Sequence, residues 1–430
     1  MRAEIERRIE QIKNGEIPNG YTATKAGVLP KWDCVRLNQI AEPITKIVGN
    51  GTYETLSISA GIGFVNQAKK FGKELSGKQY EKYTVLNRGD FSYNKGNSKS
   101  YPQGCIYRLK DRETAAVPNV FESFKIKKDS PDYYEQLFTS GYLNKQLSKK
   151  INHGVRDNGL LNLTEKDFYS CYVPHPPIAE QQKIAEILMQ CDKLIELYQN
   201  ETDELQKLKK ICLCNMFPKN GNDIPKWRFP QFNDSWERRK LGDVGQTYTG
   251  LSGKTKDDFG HGQARFVTYM NVFSNPVTNP EVTEPIEIDS KQNEVEVGDV
   301  FFTTSSETPE EVGMTSVLLE KQGKTYLNSF CFGFRPTEKF DSYFLAYMLR
   351  SQPIREKIIL LAQGISRYNI SKNKVMEISV SVPSMDEQKH VGQYFRNLDN
   401  LITLHQHKLE EMKKYKKSLM QLLLTGIVRV

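Results

Sequence analysis

The sequence is poor in the residues that build metal sites and disulfide frameworks. Its seven cysteines include no Cys-x-x-Cys pair, and its six histidines are scattered. Cys212 and Cys214 lie two residues apart on a predicted helix, as do His405 and His407, and such residues point to different faces. We therefore predict no metal site, and we interpret the cysteines as reduced, small apolar side chains.

Catalytic motifs are also missing. A phosphate-binding loop has four residues between its first glycine and Gly-Lys-Ser/Thr, whereas Gly250-Leu-Ser-Gly-Lys254-Thr255 has only two. The string Pro174-His-Pro-Pro177 is the nearest to the Asn/Asp-Pro-Pro-aromatic loop of adenine methyltransferases, but it lacks the amide and opens a helix. There is no Gly-x-Ser-x-Gly elbow. We predict no catalytic residue, and therefore a non-catalytic chain.

Long hydrophobic runs are absent as well. The N-terminus, Met1-Arg-Ala-Glu-Ile-Glu-Arg-Arg-Ile, is charged and amphipathic, so we expect no signal peptide, no membrane span and a cytoplasmic location. A hydrophobic content of 38% with 26% charged residues is typical of globular chains with real cores. The formal net charge of +8 permits contact with a polyanion but does not establish it.

The chain contains an internal repeat. The run that begins Pro177-x-x-Glu180-Gln181 returns as Pro383-x-x-x-Glu387-Gln388. The offset of 207 residues (180 to 387) is shared by further pairs, which are Asp192 with Asp399, Ile195 with Ile402, and Asn162 with Asn369. Weaker matches join Trp32 and Leu37 to Trp236 and Leu241, and Gly89-Asp90 to Gly298-Asp299. A period near two hundred residues excludes a solenoid and indicates a duplicated domain with pseudo-twofold symmetry, which suits duplex DNA.

The predicted fold class is α+β: two pseudo-twofold-related α/β domains separated by two long helices that form an antiparallel coiled coil. Strand-like runs occur at 89–93, 119–126, 299–303 and 329–334, and a helical stretch occurs at 133–147. The predicted boundaries are a short N-terminal helix at 1–19, a first domain at 20–176, a central helix at 177–218, a second domain at 219–383, and a C-terminal helix at 384–430.

Both long helices carry a heptad stripe. The first row is Ile184, Cys191, Tyr198, Leu205 and Cys212, with a second row at Ile187, Leu194 and Leu208. The other helix repeats this with Val391, Leu398, His405, Met412 and Leu419, and with Tyr394, Leu401, Tyr415 and Leu422. Glu201 interrupts the second row of one helix and Lys408 that of the other. If the helices pair antiparallel, these two side chains meet as a register lock, unless both are simply solvated at the edge of the seam.

These features together resemble the specificity subunits of type I DNA restriction-modification systems, over essentially the whole chain. The most specific parts are Pro177-x-x-Glu180-Gln181-Gln182-x-Ile184, Pro383-x-x-x-Glu387-Gln388-x-x-Val391, Trp236-x-x-x-x-Leu241-Gly-Asp, and the closing Leu423-Leu-Thr-Gly-Ile-Val-Arg429. The first domain departs slightly, because Asn-Gln follows Leu37 where Gly-Asp follows Leu241.

The resemblance implies that each domain is a target-recognition domain that reads one half of a split, asymmetric site in double-stranded DNA. It implies that the paired helices set the unspecified spacer and dock two methyltransferase subunits. It also implies motor-nuclease subunits as partners. No cofactor is expected in this chain, since S-adenosylmethionine, ATP and Mg would belong to the partner subunits.

Polar, basic segments beside aromatic residues are the candidates for DNA contact. In the first domain they are Asn94, Lys95, Asn97, Ser98, Lys99, Tyr101 and Arg156. In the second they are Lys254, Lys256, Thr304, Ser305 and Arg367. The segment at 93–101 could instead be a solvated hairpin, and Arg156 and Arg367 could brace the junction between domain and helix. The candidates for helix pairing or partner binding are Ile184, Leu194, Tyr198, Glu201, Leu205, Val391, Leu398, Leu401, Lys408 and Met412.

Two other functions remain open from the sequence. One is a self-contained DNA-modifying enzyme, which would bind S-adenosylmethionine by itself. The other is a coiled-coil interaction protein that does not bind DNA, which would show no salt-sensitive retention on DNA.

Overall fold

The computed structural model describes residues 2–24, 27–72, 77–96, 100–151, 161–219 and 221–430. The chain divides into two compact units. Unit 1 is Met1–Leu197 with Leu409–Val430, and unit 2 is Tyr198–Lys408. Each unit therefore combines one α+β domain with part of each long helix, and the division falls within the helices.

Helices account for the two long segments and for short connections within each domain. None of the described helices is both long and apolar enough to cross a bilayer. The helices are α1 (Arg2–Lys13), α2 (Leu37–Ile40), α3 (Gln67–Phe71), α4 (Pro131–Thr139), α5 (Asn144–Lys150), α6 (Glu165–Tyr169), α7 (Ile178–Asn215), α8 (Tyr269–Ser274), α9 (Ser342–Arg350), α10 (Gln352–Leu360), α11 (Lys372–Met376) and α12 (Met385–Leu423).

The strands of unit 1 are β1 (Tyr21–Thr24), β2 (Gly27–Pro30), β3 (Asp33–Arg36), β4 (Ala41–Pro43), β5 (Leu56–Ser59), β6 (Gly63–Asn66), β7 (Thr84–Asn87), β8 (Phe91–Asn94), β9 (Cys105–Arg108), β10 (Thr114–Val117), β11 (Glu122–Ile126) and β12 (Tyr172–His175). Its largest sheet is antiparallel, in the order β4-β11-β8-β9. Strand β3 pairs with β12, which ties the start of the domain to its end. The helical stretch predicted at 133–147 is two helices, because Gly141 turns the chain with a φ of 75°, in the left-handed region.

The strands of unit 2 are β13 (Glu237–Lys240), β14 (Gly245–Thr249), β15 (Phe259–Val267), β16 (Thr283–Ile286), β17 (Val300–Thr303), β18 (Ser305–Ser306), β19 (Thr315–Val317), β20 (Thr325–Leu327), β21 (Cys331–Pro336), β22 (Tyr368–Asn369) and β23 (Ser379–Val382). The four-stranded antiparallel sheet β14-β21-β17-β19 has the same chain-order pattern as the sheet of unit 1. Strand β13 pairs with β23, as β3 pairs with β12.

The centre of each sheet holds a stacked pair of phenylalanines on neighbouring strands. Phe91 and Phe124 stack with ring centres 5.4 Å apart, and Phe302 and Phe332 stack at 4.9 Å. All four side chains are buried. Such pairs add specific geometry to the burial of large apolar surfaces. The predicted duplication is therefore confirmed at the level of sheet order and core packing.

The Gly-Asp pairs that recur in the sequence shape the turn before the central strand. Asp90 Oδ2 accepts a hydrogen bond from the Asn87 backbone N–H at 2.7 Å, and Asp299 Oδ2 accepts one from Glu296 N–H at 2.8 Å. Burial raises the pKa of Asp90. These aspartates therefore have a structural role in the turn.

The long helices pack antiparallel within each unit. In unit 1, Lys416 Nζ lies 2.5 Å from Asp192 Oδ1, and in unit 2, Lys209 Nζ lies 2.5 Å from Asp399 Oδ1. The two ion pairs are equivalent, because Asp399 lies 207 residues after Asp192 and Lys416 lies 207 residues after Lys209. The predicted antiparallel pairing is thus confirmed, and it repeats on both copies of the motif.

The buried seam follows one predicted row and departs from the other. Ten positions along the first long helix and just after it are buried or half-buried, and so are the ten positions 207 residues later. The first ten are 184, 188, 191, 195, 198, 202, 205, 209, 212 and 216. The row that contains Ile184, Tyr198, Leu205, Val391, Leu398 and Met412 is therefore correct. The predicted second row is correct only in part: Ile187 is buried and Tyr394 and Leu422 are half-buried, whereas Leu194 and Leu401 are 41% and 45% exposed. Its true members include Thr202 and Lys209, which apolar periodicity could not identify.

The predicted pairing of Glu201 with Lys408 is not formed, because neither residue lies on the seam row. Glu201 Oε2 lies 2.9 Å from Nδ1 of His405, and Lys408 Nζ lies 5.9 Å from the ring centre of Tyr198. Residues 201 and 408 are equivalent under the offset, as are 198 and 405. The two contacts are therefore equivalent under the repeat: a charged side chain of one long helix contacts an aromatic ring of the other in each case.

The repeated Glu-Gln motif joins each domain to its long helix. Gln181 accepts from Ser130 N–H at 2.9 Å and donates to Pro176 O at 3.0 Å. Gln388 accepts from Asp341 N–H at 3.1 Å and donates to Pro383 O at 3.0 Å. Both glutamines are buried. The oxygen and the nitrogen of each side-chain amide are both hydrogen-bonded. No other side chain of this size offers the same donor and acceptor, which explains why the glutamine is present in both copies.

Candidate nucleic-acid interface

The first candidate segment of unit 1 follows the central strand β8. The Asn94 side chain accepts a hydrogen bond from Gly96 N–H at 2.9 Å, which closes a local turn. Tyr101 lies beside the β5–β6 hairpin, with its hydroxyl 3.4 Å from where a side chain at Gly61 would begin. Asn97, Ser98 and Lys99 lie outside the described residues. The segment is therefore anchored at both of its described ends.

Lys95 has a carboxylate partner. Its Nζ lies 3.4 Å from Glu122 Oε2, and the two side chains are only 16% and 14% exposed. Burial raises the pKa of Glu122. The lysine charge is thus largely compensated within the domain, so Lys95 offers less to a phosphate than its sequence position suggests.

The chain that follows the second candidate segment of unit 1 lies next to the first segment. Arg156 lies outside the described residues. The described chain resumes at Leu161, whose N–H donates to Lys95 O at 2.8 Å. Leu161 therefore lies beside the end of β8.

Unit 2 brings its two candidate segments together. Ile370 N–H donates to Thr304 O at 3.0 Å, and Ser305 pairs with Asn369 across β18 and β22. The Thr304 hydroxyl donates to Phe330 O at 2.9 Å. Ser305 is only 4% exposed, since β18 lies inside the domain. Of the two predicted hydroxyl contacts, Ser305 is thus shielded from a ligand and Thr304 is already bonded.

Arg367 lies on the surface of this meeting point. It is exposed, and its guanidinium carbon lies 5.7 Å from the ring centre of Phe330, which is itself 54% exposed. A cation over an aromatic face is a suitable partner for phosphates and base edges. Phe330 was missed by the sequence reasoning, because it begins the alternating phenylalanines of a predicted strand, where such side chains are more often core residues.

The two lysines of the glycine-flanked loop differ in their surroundings. Lys254 Nζ lies 2.9 Å from Asp289 Oδ2 and 3.9 Å from Asp258 Oδ1. The hydrogen bond with Lys254 lowers the pKa of Asp289, and the same bond raises the pKa of Lys254. Lys256 is exposed. We therefore expect Lys256, rather than Lys254, to be the phosphate contact of this loop.

Two half-buried arginines that the sequence did not single out bind backbone carbonyls in unit 2. Arg355 donates to Gly313 O at 2.7 Å and to Val312 O at 2.6 Å, and burial lowers its pKa to about 10. Arg350 donates to Thr315 O at 2.6 Å and to Val272 O at 2.8 Å. Both side chains thus hold backbone segments in place.

Comparison with known proteins gives a consistent result. The model of the type I restriction modification DNA specificity domain matches residues 32–207 and again residues 233–414. The MjaVIII type I restriction enzyme specificity subunit of Methanocaldococcus jannaschii is 25% identical over 317 residues, which cover 68% of this chain and 70% of the relative. A putative MjaX specificity subunit of the same organism is 25% identical over 411 residues, which cover 91% of this chain and 88% of that one.

Two solved structures share the fold. A chain from a study of complex assembly and conformational transition in the type I R-M system has a TM-score of 0.57 at 16% identity, covering 93% of this chain and 99% of that one. The S subunit of a type I restriction-modification system from M. genitalium has a TM-score of 0.55 at 14% identity, covering 95% of this chain and 98% of that one. At these identities the likeness concerns the fold alone.

Proposed function

The chain belongs to the family of type I restriction modification DNA specificity subunits, and from this we propose that it reads a bipartite, asymmetric DNA site with one half-site bound by each domain. As a specificity subunit it has a recognition role and no catalytic one. The observation that carries the proposal is the tandem match of the DNA specificity domain, at 32–207 and 233–414. Two domains that differ in their surface segments suit two different half-sites.

The candidate DNA-binding surface of each domain lies at the end of its central strand, which is β8 in unit 1 and β17 in unit 2. In unit 2 this surface includes exposed Arg367 and Phe330, and the loop that carries Lys256 is a second candidate. Exposed basic side chains supply the sequence-independent part of DNA affinity, and polar and apolar groups beside them supply base recognition. The contact of Leu161 with Lys95 at the end of β8 in unit 1 supports one binding surface per domain.

The long helices are proposed to set the spacer between the half-sites. Helix α7 has 38 residues and α12 has 39. At about 1.5 Å per residue each is nearly 60 Å long. Repeated interhelical ion pairs, Asp192 with Lys416 and Asp399 with Lys209, support a fixed register of the pair. If the pair of helices is rigid, the length of the helices determines the number of base pairs between the half-sites.

We also propose that two methyltransferase subunits dock on equivalent apolar patches of the long helices. Leu194 and Leu197 are 41% and 49% exposed, and their equivalents Leu401 and Leu404 are 45% and 47% exposed. Exposed apolar residues on a helix are suited to partner contact. Two identical partners require two equivalent surfaces, which the offset supplies. S-adenosylmethionine would be bound by these partners, and ATP and Mg by motor-nuclease subunits.

The docking proposal predicts a stepwise loss of partners. Leu197→Glu places a charge in one patch, and Leu404→Glu places one in the other. Each single variant is expected to bind one methyltransferase subunit where the parent binds two, and the double variant none. Burying an unpaired carboxylate at an apolar contact strongly opposes association. The mass of the assembled complex by native mass spectrometry or light scattering gives the count.

A matched control is available on the same helix. Gln206 is exposed and lies nine residues after Leu197, which is half a turn around the helix. Gln206→Glu introduces the same charge on the other side, and it should leave two subunits bound. Retention of two subunits by both leucine variants would mean that the partners dock elsewhere.

A further inference from the structure

The most exposed of the large apolar side chains described in the structure is Ile365, at 95%. It lies in the turn that connects the end of α10 to β22. A single exposed apolar side chain is common on protein surfaces, so the neighbours of Ile365, and not its exposure alone, carry the argument.

The turn that carries Ile365 is tightly closed. Gln363 and Asn369 exchange two backbone hydrogen bonds of 2.9 Å each, and the Asn369 side chain donates to Arg367 O at 3.4 Å. Gly364 has φ of 144°, and a Cβ there would lie 2.0 Å from Arg367 O. The backbone of the turn that presents Ile365 is therefore held by local hydrogen bonds.

The neighbours of Ile365 belong to the proposed DNA-binding surface of unit 2. Arg367, two residues on, is exposed and lies over Phe330. Strand β22 directly follows and pairs with β18 at the end of the central strand. The sequence repeats the pattern in the first copy, where Val155 follows Gly154 and precedes Arg156. In both copies a β-branched apolar residue comes between a glycine and a nearby arginine.

We propose that Ile365 reads a thymine, by packing against its 5-methyl group in the major groove, while Arg367 contacts the adjoining phosphate or base. The thymine methyl is the apolar feature of the major-groove edge, and apolar side chains recognise it. This inference rests on the proposed function and adds a specificity-determining residue to it. A serine-rich or charged loop tip would contact DNA without that preference.

The test uses the full chain assembled with its methyltransferase subunits and a duplex that contains its methylated motif. Each thymine of the half-site read by the second domain is replaced in turn by deoxyuridine, which lacks only the methyl group. One such replacement is expected to weaken binding about four-fold in the parent, as for one buried methyl group. Ile365→Ala is expected to weaken binding to the thymine duplex about ten-fold and to abolish the effect of that one replacement.

The control is Val297→Ala. Val297 is 61% exposed and precedes β17, at the opposite end of that strand from Thr304. This variant should keep both the parent affinity and the sensitivity to deoxyuridine. Parent-like binding by Ile365→Ala, or an undiminished deoxyuridine effect in that variant, would overturn the inference while leaving the proposed function intact. Failure of the parent complex to prefer its own motif over unrelated DNA would overturn both.

Discussion

Inserting four residues into each long helix, after Asn200 and after the equivalent His407, is expected to lengthen the spacer by one or two base pairs and to leave both half-sites unchanged. Four residues add about 6 Å of helix. This is close to two base pairs at about 3.4 Å each. Four residues also rotate a helix by about 40° beyond a full turn, which is close to the twist of one base pair. The insertion therefore adds length and rotation to the helix pair, and one or two additional base pairs add length and rotation to the DNA in the same direction.

Both helices must be lengthened together because they pair antiparallel. An insertion in one helix alone would displace the contact of Asp192 with Lys416 or that of Asp399 with Lys209. Sequencing of modified bases in a methylation-free host that expresses the variant and its methyltransferase reports the motif. The control replaces four residues at the same sites without changing the length, and it should keep the original spacer. An unchanged spacer in the lengthened protein would rule out the helices as the spacer.

Removing Glu387 is expected to have the largest effect on stability of any single substitution considered. Glu387 accepts from Arg228 Nε and Nη2 at 2.8 Å each, and the two side chains are 2% and 11% exposed. Hydrogen bonding to Glu387 raises the pKa of Arg228. Glu387→Ala leaves a buried guanidinium without its partner, which costs about 3–5 kcal/mol. Thermal or denaturant unfolding should show a marked fall in the stability of unit 2.

An exposed ion pair in the same unit provides the comparison. Lys240 and Glu377 approach to 2.7 Å, but their side chains are 52% and 70% exposed. Such pairs contribute little because water and salt screen them. Glu377→Ala should therefore unfold like the parent, and Glu387→Gln, which retains a hydrogen-bond acceptor, should lie between parent and alanine. An equal effect of both alanine variants would show that the buried pair is not a special determinant of stability.

The equivalent glutamate in unit 1 binds a residue of the C-terminal segment. Glu180 accepts from Arg429 Nη2 at 2.6 Å and from Trp32 Nε1 at 3.1 Å. Arg429 also donates to Gly20 O at 2.9 Å. The C-terminal segment thus supplies in unit 1 the cation that Arg228 supplies in unit 2. The repeated sequence motif contains the glutamates, and their arginine partners are outside the exact repeat.

The repeat was the strongest guide to the fold, because equivalent residues must have equivalent neighbours. It predicted two domains and two long helices, and the matching sheet orders and interhelical ion pairs confirm this. Apolar periodicity was a weaker guide. It identified the row of Ile184 but not the row of Thr202 and Lys209, since a half-buried lysine with a long apolar stem is indistinguishable in sequence from a solvated one.

The candidate DNA contacts were harder to predict, because charge compensation depends on residues distant in sequence. Lys95 and Lys254 are basic residues in loops, yet Glu122 and Asp289 pair with them. Ser305 is in a polar run, but strand pairing buries it. By contrast, the closeness of the two candidate segments in unit 2 follows from the pairing of β18 with β22. The roles of all these residues in DNA binding remain predictions.

Modified-base sequencing of a methylation-free host that expresses this chain with its cognate methyltransferase subunit tests the central claim most directly. The account predicts adenine methylation in a split motif, with two different half-sites separated by a gap of fixed length and unspecified sequence. A contiguous motif would contradict reading by two separated domains. Absence of new methylation from a host that contains the assembled complex would contradict the DNA-reading role itself.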